Sequence, residues 1–183
     1  MKNLLIMLAI DIAIIVFLIM MFDTAQAEYV SSHAGLCIRK EPGTQSEVLE
    51  VLPFGEEVSG EIEEGWMRLE GREGYVCAEH LQSTDPFEDM QYMGEWRVTA
   101  YAETGMPCAN GHYPERGYTI ACNSLPFGTE VYIEGVGFRT VEDRGPASMG
   151  DEWLDLYLGV HTECVNWGNQ YLDIYVWRKS GSE

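Results

Sequence analysis

From residue 28 onward the chain never sustains a 3.6-residue apolar period. Short apolar runs alternate instead with turns that carry Gly or Pro. A chain of this kind buries its apolar side chains by pairing strands, so the expected fold class is all-β. Residues 35–81 hold about five short strands, divided at Pro42-Gly43, Pro53-Phe54-Gly55, Glu64-Gly65 and Gly71–Gly74. Some fifty residues punctuated this way suit a small barrel near the lower size limit for a self-sufficient core. A second set of strands is expected at 96–102, 118–122, 129–134, 137–143, 153–157 and 171–177, with one short helix around 160–167. Between the two sets, residues 85–94 carry acids and Pro86 without clean periodicity and read as a linker. The expected organisation is 28–84, linker 85–94, and 95–178.

Residues 1–27 have a different character. Lys2 precedes an apolar run from Leu4 to Phe22, and Ala25-Gln26-Ala27 fits a small-x-small cleavage site. Asp11 interrupts the run, and its length suffices to span a bilayer, so signal peptide and membrane anchor both stand. Either places the remainder outside the cytoplasmic membrane, extracellular or associated with a cell wall.

The formal net charge of −19 argues against nucleic acid and polyanionic polymers as partners, which need Lys and Arg in number. A neutral or zwitterionic ligand such as a glycan stays compatible. The five cysteines, Cys37, Cys77, Cys108, Cys122 and Cys164, form no C-x-x-C pair, so no metal site and no cofactor are expected. In an oxidising compartment disulfides become available, and an odd count leaves one thiol over. His161 stands three residues before Cys164 with no third orienting group, which disfavours a thiol nucleophile. His33, His80 and His112 read as surface or loop residues, and Trp66 as a core or rim aromatic.

The first module carries "LCIRKEPG" at 36–43, "VLPFG" at 51–55, "GW" at 65–66 and "GREGYV" at 71–76. In this order they resemble the bacterial SH3 (SH3b) family. That resemblance implies an SH3-like barrel that binds cell-wall peptide or accompanies wall enzymes. It also sets Cys37 and Cys77 on neighbouring first and last strands. A disulfide between them would close a loop of about forty residues and stabilise by ~3–4 kcal/mol.

The second module carries "VTAY" at 98–101, "CANGHYP" at 108–114, "TIACNSLPFGTEVYI" at 119–133, "VEDRGP" at 141–146, "GDEWLDLYLG" at 150–159 and "CVNWG" at 164–168. This series resembles the three-aspartate (3D) domain of bacterial wall lytic enzymes and, nearly as well, the rare lipoprotein A domain. The resemblance implies a six-stranded double-psi β-barrel. The second and third family aspartates fall on Asp143 and Asp155, while the first position holds Asn123. The family's "GG-x-I-K-G" is altered to "GPASMG" at 145–150, losing its lysine. A Cys108–Cys122 disulfide is the weakly preferred pairing among the remaining thiols.

The chemistry implied is cleavage of a peptidoglycan glycan strand at MurNAc-GlcNAc bonds. A lytic transglycosylase needs one carboxylic acid to protonate the leaving oxygen and then to take the muramyl C6 proton. Asp155, between Leu154 and Leu156, is the expected acid/base. Asp143 would raise its proton affinity by like-charge repulsion, Asn123 would orient one or both acids, and Tyr101 and Glu103 would line the substrate groove. The partners implied are glycan strands and stem peptides, met by a monomer. Two simpler readings stand beside this one. An acid before Gly-Pro is often a turn cap, and "LDLYL" alternates as an exposed strand does. A non-catalytic wall-binding or expansin-like wall-loosening barrel is the alternative function.

Overall fold

A computed structural model describes residues 27–178; the expected signal or anchor lies outside them, apart from Ala27. Among the described residues no helix is long and apolar enough to cross a membrane. The first half holds eight short strands: β1 (Glu28–Val30), β2 (Leu36–Arg39), β3 (Val48–Leu52), β4 (Glu57–Val58), β5 (Gly60–Glu63), β6 (Trp66–Leu69), β7 (Tyr75–Cys77) and β8 (Leu81–Gln82). They form a five-stranded sheet in the order β3-β2-β7-β6-β5 and a three-stranded sheet in the order β4-β1-β8. Their inward residues, among them Val30, Ile38, Leu52, Met67 and Val76, make one buried cluster, consistent with a small barrel.

The second half is a closed six-stranded barrel built from β9 (Met90–Ala102), β10 (Thr119–Ala121), β11 (Glu130–Ile133), β12 (Gly137–Asp143), β13 (Trp153–Gly159) and β14 (Gln170–Trp177). Around the barrel the order is β10-β12-β11-β14-β9-β13. The pairs β9–β13 and β10–β12 are parallel, and the others are antiparallel. Among the described residues one α-helix, α1 (His161–Trp167), follows β13 and packs on β9. The fold is therefore all-β with one short helix and a closed six-stranded barrel, as the sequence pattern implies.

Alternation decides which side chains fill the barrel. On β9 Trp96 and Val98 point inward, on β10 Ile120, on β12 Val141, and on β13 Leu154 and Leu156, all within one buried cluster. The intervening residues, Arg97, Thr99, Tyr101, Ala121, Trp153, Asp155 and Tyr157, therefore share the outer face.

Residues 85–94 hold a 3-10 turn, Pro86–Asp89, and the first five residues of β9. The strand extends well before the expected start at 96 because β14 continues to pair along it as far as Met90, past a register shift at Ile174/Tyr175. A third cluster joins the two halves: Phe54 meets the rings of Phe87, Tyr132, Phe138 and Trp177 at centroid distances of 4.8 to 6.3 Å. His33 is exposed, as expected, and stacks one face of its ring on Phe138 at 3.9 Å.

The cysteines correct the disulfide expectation, for all five carry free thiols. Cys37 and Cys77 do lie on neighbouring strands, but β2 and β7 pair only at Arg39 and Tyr75, and the two thiols sit beyond that pair unbonded. Cys122 lies in the barrel core, with Sγ 3.4 Å from Ser124 Oγ, whereas Cys108 anchors an outer loop beside Tyr101.

Candidate functional site

Two strands flank β10, and each delivers one acid. Ala121 pairs in register with Asp143 on β12 and with Asp155 on β13. By simple alternation from the inward Val141, Asp143 would also point into the core. A register shift between Ile120 and Ala121 makes two residues of β12, Glu142 and Asp143, oppose one of β10. Such a bulge re-aims a side chain, and here it brings Asp143 to the outer face with Ala121. Ala121, 3% exposed, is the register partner that the two acids share.

On the far side of Asp155, β9 runs parallel to β13 with Asp155 opposite Thr99, Trp153 opposite Arg97 and Tyr157 opposite Tyr101. Thr99 Oγ1 donates to Asp155 Oδ1 at 2.7 Å, and Trp153 Nε1 donates to Thr99 Oγ1 at 2.7 Å. An indole N–H can only donate, so the Thr99 hydroxyl accepts from it and turns its own proton to Asp155. Oδ1 is thereby occupied, and a proton on Asp155 belongs on Oδ2. The Arg97 guanidinium covers the Trp153 ring at 3.9 Å, fixing the indole that fixes Thr99.

Burial raises the proton affinity of the Asp155 carboxyl above the ordinary carboxylate range. Nearby Asp143 adds a smaller push upward, while the Thr99 hydrogen bond and Arg97 pull the other way. The dominant cause is thus desolvation, with the neighbouring acid that sequence reasoning emphasised a minor contributor.

Asp143 is held differently. Its Oδ1 accepts from the backbone N–H groups of Ala109 (2.9 Å) and Arg144 (2.8 Å), and its Oδ2 from Tyr101 O–H (3.2 Å). All these partners donate, the complement of an ionised carboxylate. Burial first, then Asp143 and Cys108, push the Tyr101 phenol up, so it stays a donor. The Tyr101 and Tyr157 rings lie 5.3 Å apart along the same face.

Of the remaining expected residues, Asn123 does not reach either acid. Its Oδ1 accepts from Gly145 N (3.0 Å), and its Nδ2 donates to the carbonyls of Pro146 (3.1 Å) and Met149 (3.4 Å). It shapes the "GPASMG" loop, whose Met149 is buried so closely against Gly145 that a Cβ there would fall 2.2 Å from its sulfur. Glu103 is exposed at the end of β9, its N–H bonded to Gly159 O at 3.1 Å, beside Tyr157. Burial, then Asp155, raises the Cys164 thiol, which places this half-buried side chain of α1 near the acid without a base of its own. Arg144, unremarked in the sequence, donates to the Cys122 carbonyl and lies 3.7 Å over the Phe127 ring. Among the described residues no group of three or more His, Cys, Asp or Glu side chains is arranged to hold a metal ion.

Thr99, Trp153 and Ala109 were the functional groups hidden from sequence reasoning. Only the register of two parallel strands puts "VTAY" beside "EWLDL", and parallel partners leave no turn signal between them.

Searches of curated proteins and of solved structures found no match. A family model does match: residues 118–178 fit the 3D domain, covering Asn123, Asp143 and Asp155 but starting after β9 and its Thr99 and Tyr101. The barrel half of this chain is accordingly similar to the 3D domain, and that similarity supports a function associated with the cell wall.

Proposed function

We propose that the chain is an exported lytic transglycosylase that cleaves peptidoglycan glycan strands at MurNAc-GlcNAc bonds, with Asp155 as its single acid/base. One observation carries the reading: a carboxyl desolvated into higher proton affinity, with Oδ1 occupied by Thr99 and Oδ2 left to hold the proton. Asp155 Oδ2 gives that proton to the glycosidic oxygen as the C1–O bond breaks. The muramyl C6 oxygen then bonds to C1, and its proton returns to Asp155, closing a 1,6-anhydro ring without water. Asp143, held by the Ala109 and Arg144 N–H groups and the Tyr101 hydroxyl, faces the developing positive charge at C1. Tyr101, Tyr157 and Glu103 line the path of the strand. The first half acts as an SH3-like wall-targeting module that meets stem peptides, and the protein works as a monomer.

Product mass tests the reaction directly, since 1,6-anhydromuramyl ends are lighter by one water than hydrolysed reducing ends. Reducing ends alone would point to a second carboxylate as nucleophile or base, with Glu103 and Asp143 the first to examine. A second reading, a non-catalytic wall-binding or wall-loosening barrel, draws support from Asn123, which serves loop geometry where the family has an acid. Binding to purified wall with no new ends of either kind would favour it.

A further inference from the structure

The bulge that turns Asp143 outward leaves Glu142 behind it, a carboxylate only 8% exposed that the proposed chemistry does not use. Its Oε2 accepts from Thr119 Oγ1 at 2.7 Å. Its Oε1 accepts from Asn110 Nδ2 at 3.2 Å and lies 3.4 Å from His112 Nδ1. Its carbonyl accepts from Asn110 N at 3.2 Å. Thr119 in turn accepts from Glu115 N at 2.8 Å, and Asn110 Oδ1 accepts from His112 N at 2.9 Å. One buried carboxylate therefore gathers both ends of the 108–119 segment of the long β9–β10 connection. That segment has few buried side chains of its own to hold it: of residues 103–118, only Cys108 is buried.

Ala109, next to Asn110, is the residue whose N–H reaches Asp143 Oδ1. We infer that Glu142 is a positioning residue, which ties the 108–119 loop to β12 so that the Ala109 N–H stays on Asp143 and fixes that carboxylate beside Asp155. Its consequence for cleavage rests on the proposed role of the two acids; its hold on the loop does not. A buried acceptor of this kind is also costly to remove, because the Thr119 hydroxyl, 1% exposed, is left without it.

Amide hydrogen exchange at Ala109, followed by NMR in the full chain, reads the hold without reference to activity. Glu142→Ala should speed that exchange about 10- to 100-fold, the scale of a lost hydrogen bond to a charged group. Thr119→Val should do the same in a milder background, and Thr119→Ser, which keeps the hydroxyl, should exchange as the wild type does. On purified peptidoglycan, Glu142→Ala should lower kcat about tenfold with KM little moved. It should cost nothing more once Asp143→Ala is present, because that variant leaves the Ala109 N–H no carboxylate to fix. Should Glu142→Ala not fold, Thr119→Val against Thr119→Ser decides. Unchanged Ala109 exchange in a folded variant, or a further loss of activity in the Asp143→Ala background, overturns the inference. Faster exchange in a protein that cleaves nothing upholds the positioning role and removes the lytic reading instead.

Discussion

Asp143 and Asp155 are register partners of the same residue, Ala121, one from each side of β10. Two acids are thus brought to one face by backbone pairing alone, with neither bonded to the other. Ala121→Val should therefore do two things. Adding bulk at a site 3% exposed should destabilise by about 1–3 kcal/mol, seen as a lower Tm. It should also wedge the acids apart, lowering wall cleavage more than the conservative Ala121→Ser does.

Asp155→Asn should remove cleavage by ~10²–10⁴-fold, the range for deleting a general acid/base. It should at the same time stabilise the fold at neutral pH. Burial raises the proton affinity of Asp155 in the folded state, so its ionised form is tolerated less well there than in the unfolded chain. The folded state then binds more protons than the unfolded state between the two pKa values, and stability falls as pH rises through that window. Asn still accepts from Thr99 and carries no charge. Its Tm advantage should be present at pH 7 and shrink toward zero as the pH drops below the ordinary aspartate range. A variant less stable than wild type at neutral pH would contradict the desolvation argument.

Much of the barrel was legible because its strands obey period two and its turns carry Gly or Pro. The expected 137–143 is β12 itself, and 153–157 lies within β13. The extension of β9 back to Met90 was not legible, because Gln91, Tyr92 and Glu95 are polar or exposed and only pairing with β14 makes them strand. The two acids were visible as residues, yet their environment was not. Alternation alone sends Asp143 inward, and a bulge has no reliable sequence mark. Likewise Cys108 lies beside Tyr101 while Cys122 sits in the barrel core, both as free thiols, which spacing in sequence does not report.

The contact between the two halves turns on Phe54, 5% exposed among rings from both. Gly55 beside it has a positive φ of 78°, and a Cβ there would fall 2.2 Å from the Phe87 ring, so the turn and the cluster depend on one another. Phe54→Ala should cost about 3–5 kcal/mol. The loss should uncouple the halves, giving two resolved unfolding transitions where the wild type shows one. Limited proteolysis should then cut around residues 83–89 and release two folded pieces. A single transition in the variant would show that the aromatic cluster does not couple them.

Thr99 and Asp143 act on Asp155 in opposite senses, and that opposition gives the sharpest test of the site. The Thr99 hydrogen bond lowers the proton affinity of Asp155 and the Asp143 charge raises it. Thr99→Val removes the donor while keeping the shape, so the titration of Asp155 should move to higher pH. Asp143→Asn removes the negative charge, so the same titration should move to lower pH, and by less, because Asp143 acts on Asp155 more weakly than Thr99 does. If Asp155 works as a general acid, activity is lost when it deprotonates, and the alkaline limb of the cleavage profile should follow in each case. A ¹³C NMR titration of the Asp155 carboxyl reads the shifts with or without turnover. Shifts in the same direction for both variants would mean that Thr99 does not stabilise the ionised form, and the assignment of the acidic proton to Oδ2 would fall with it. Opposite shifts in the NMR titration with no matching movement of the alkaline limb would leave the electrostatics intact and take the proton-transfer role away from Asp155.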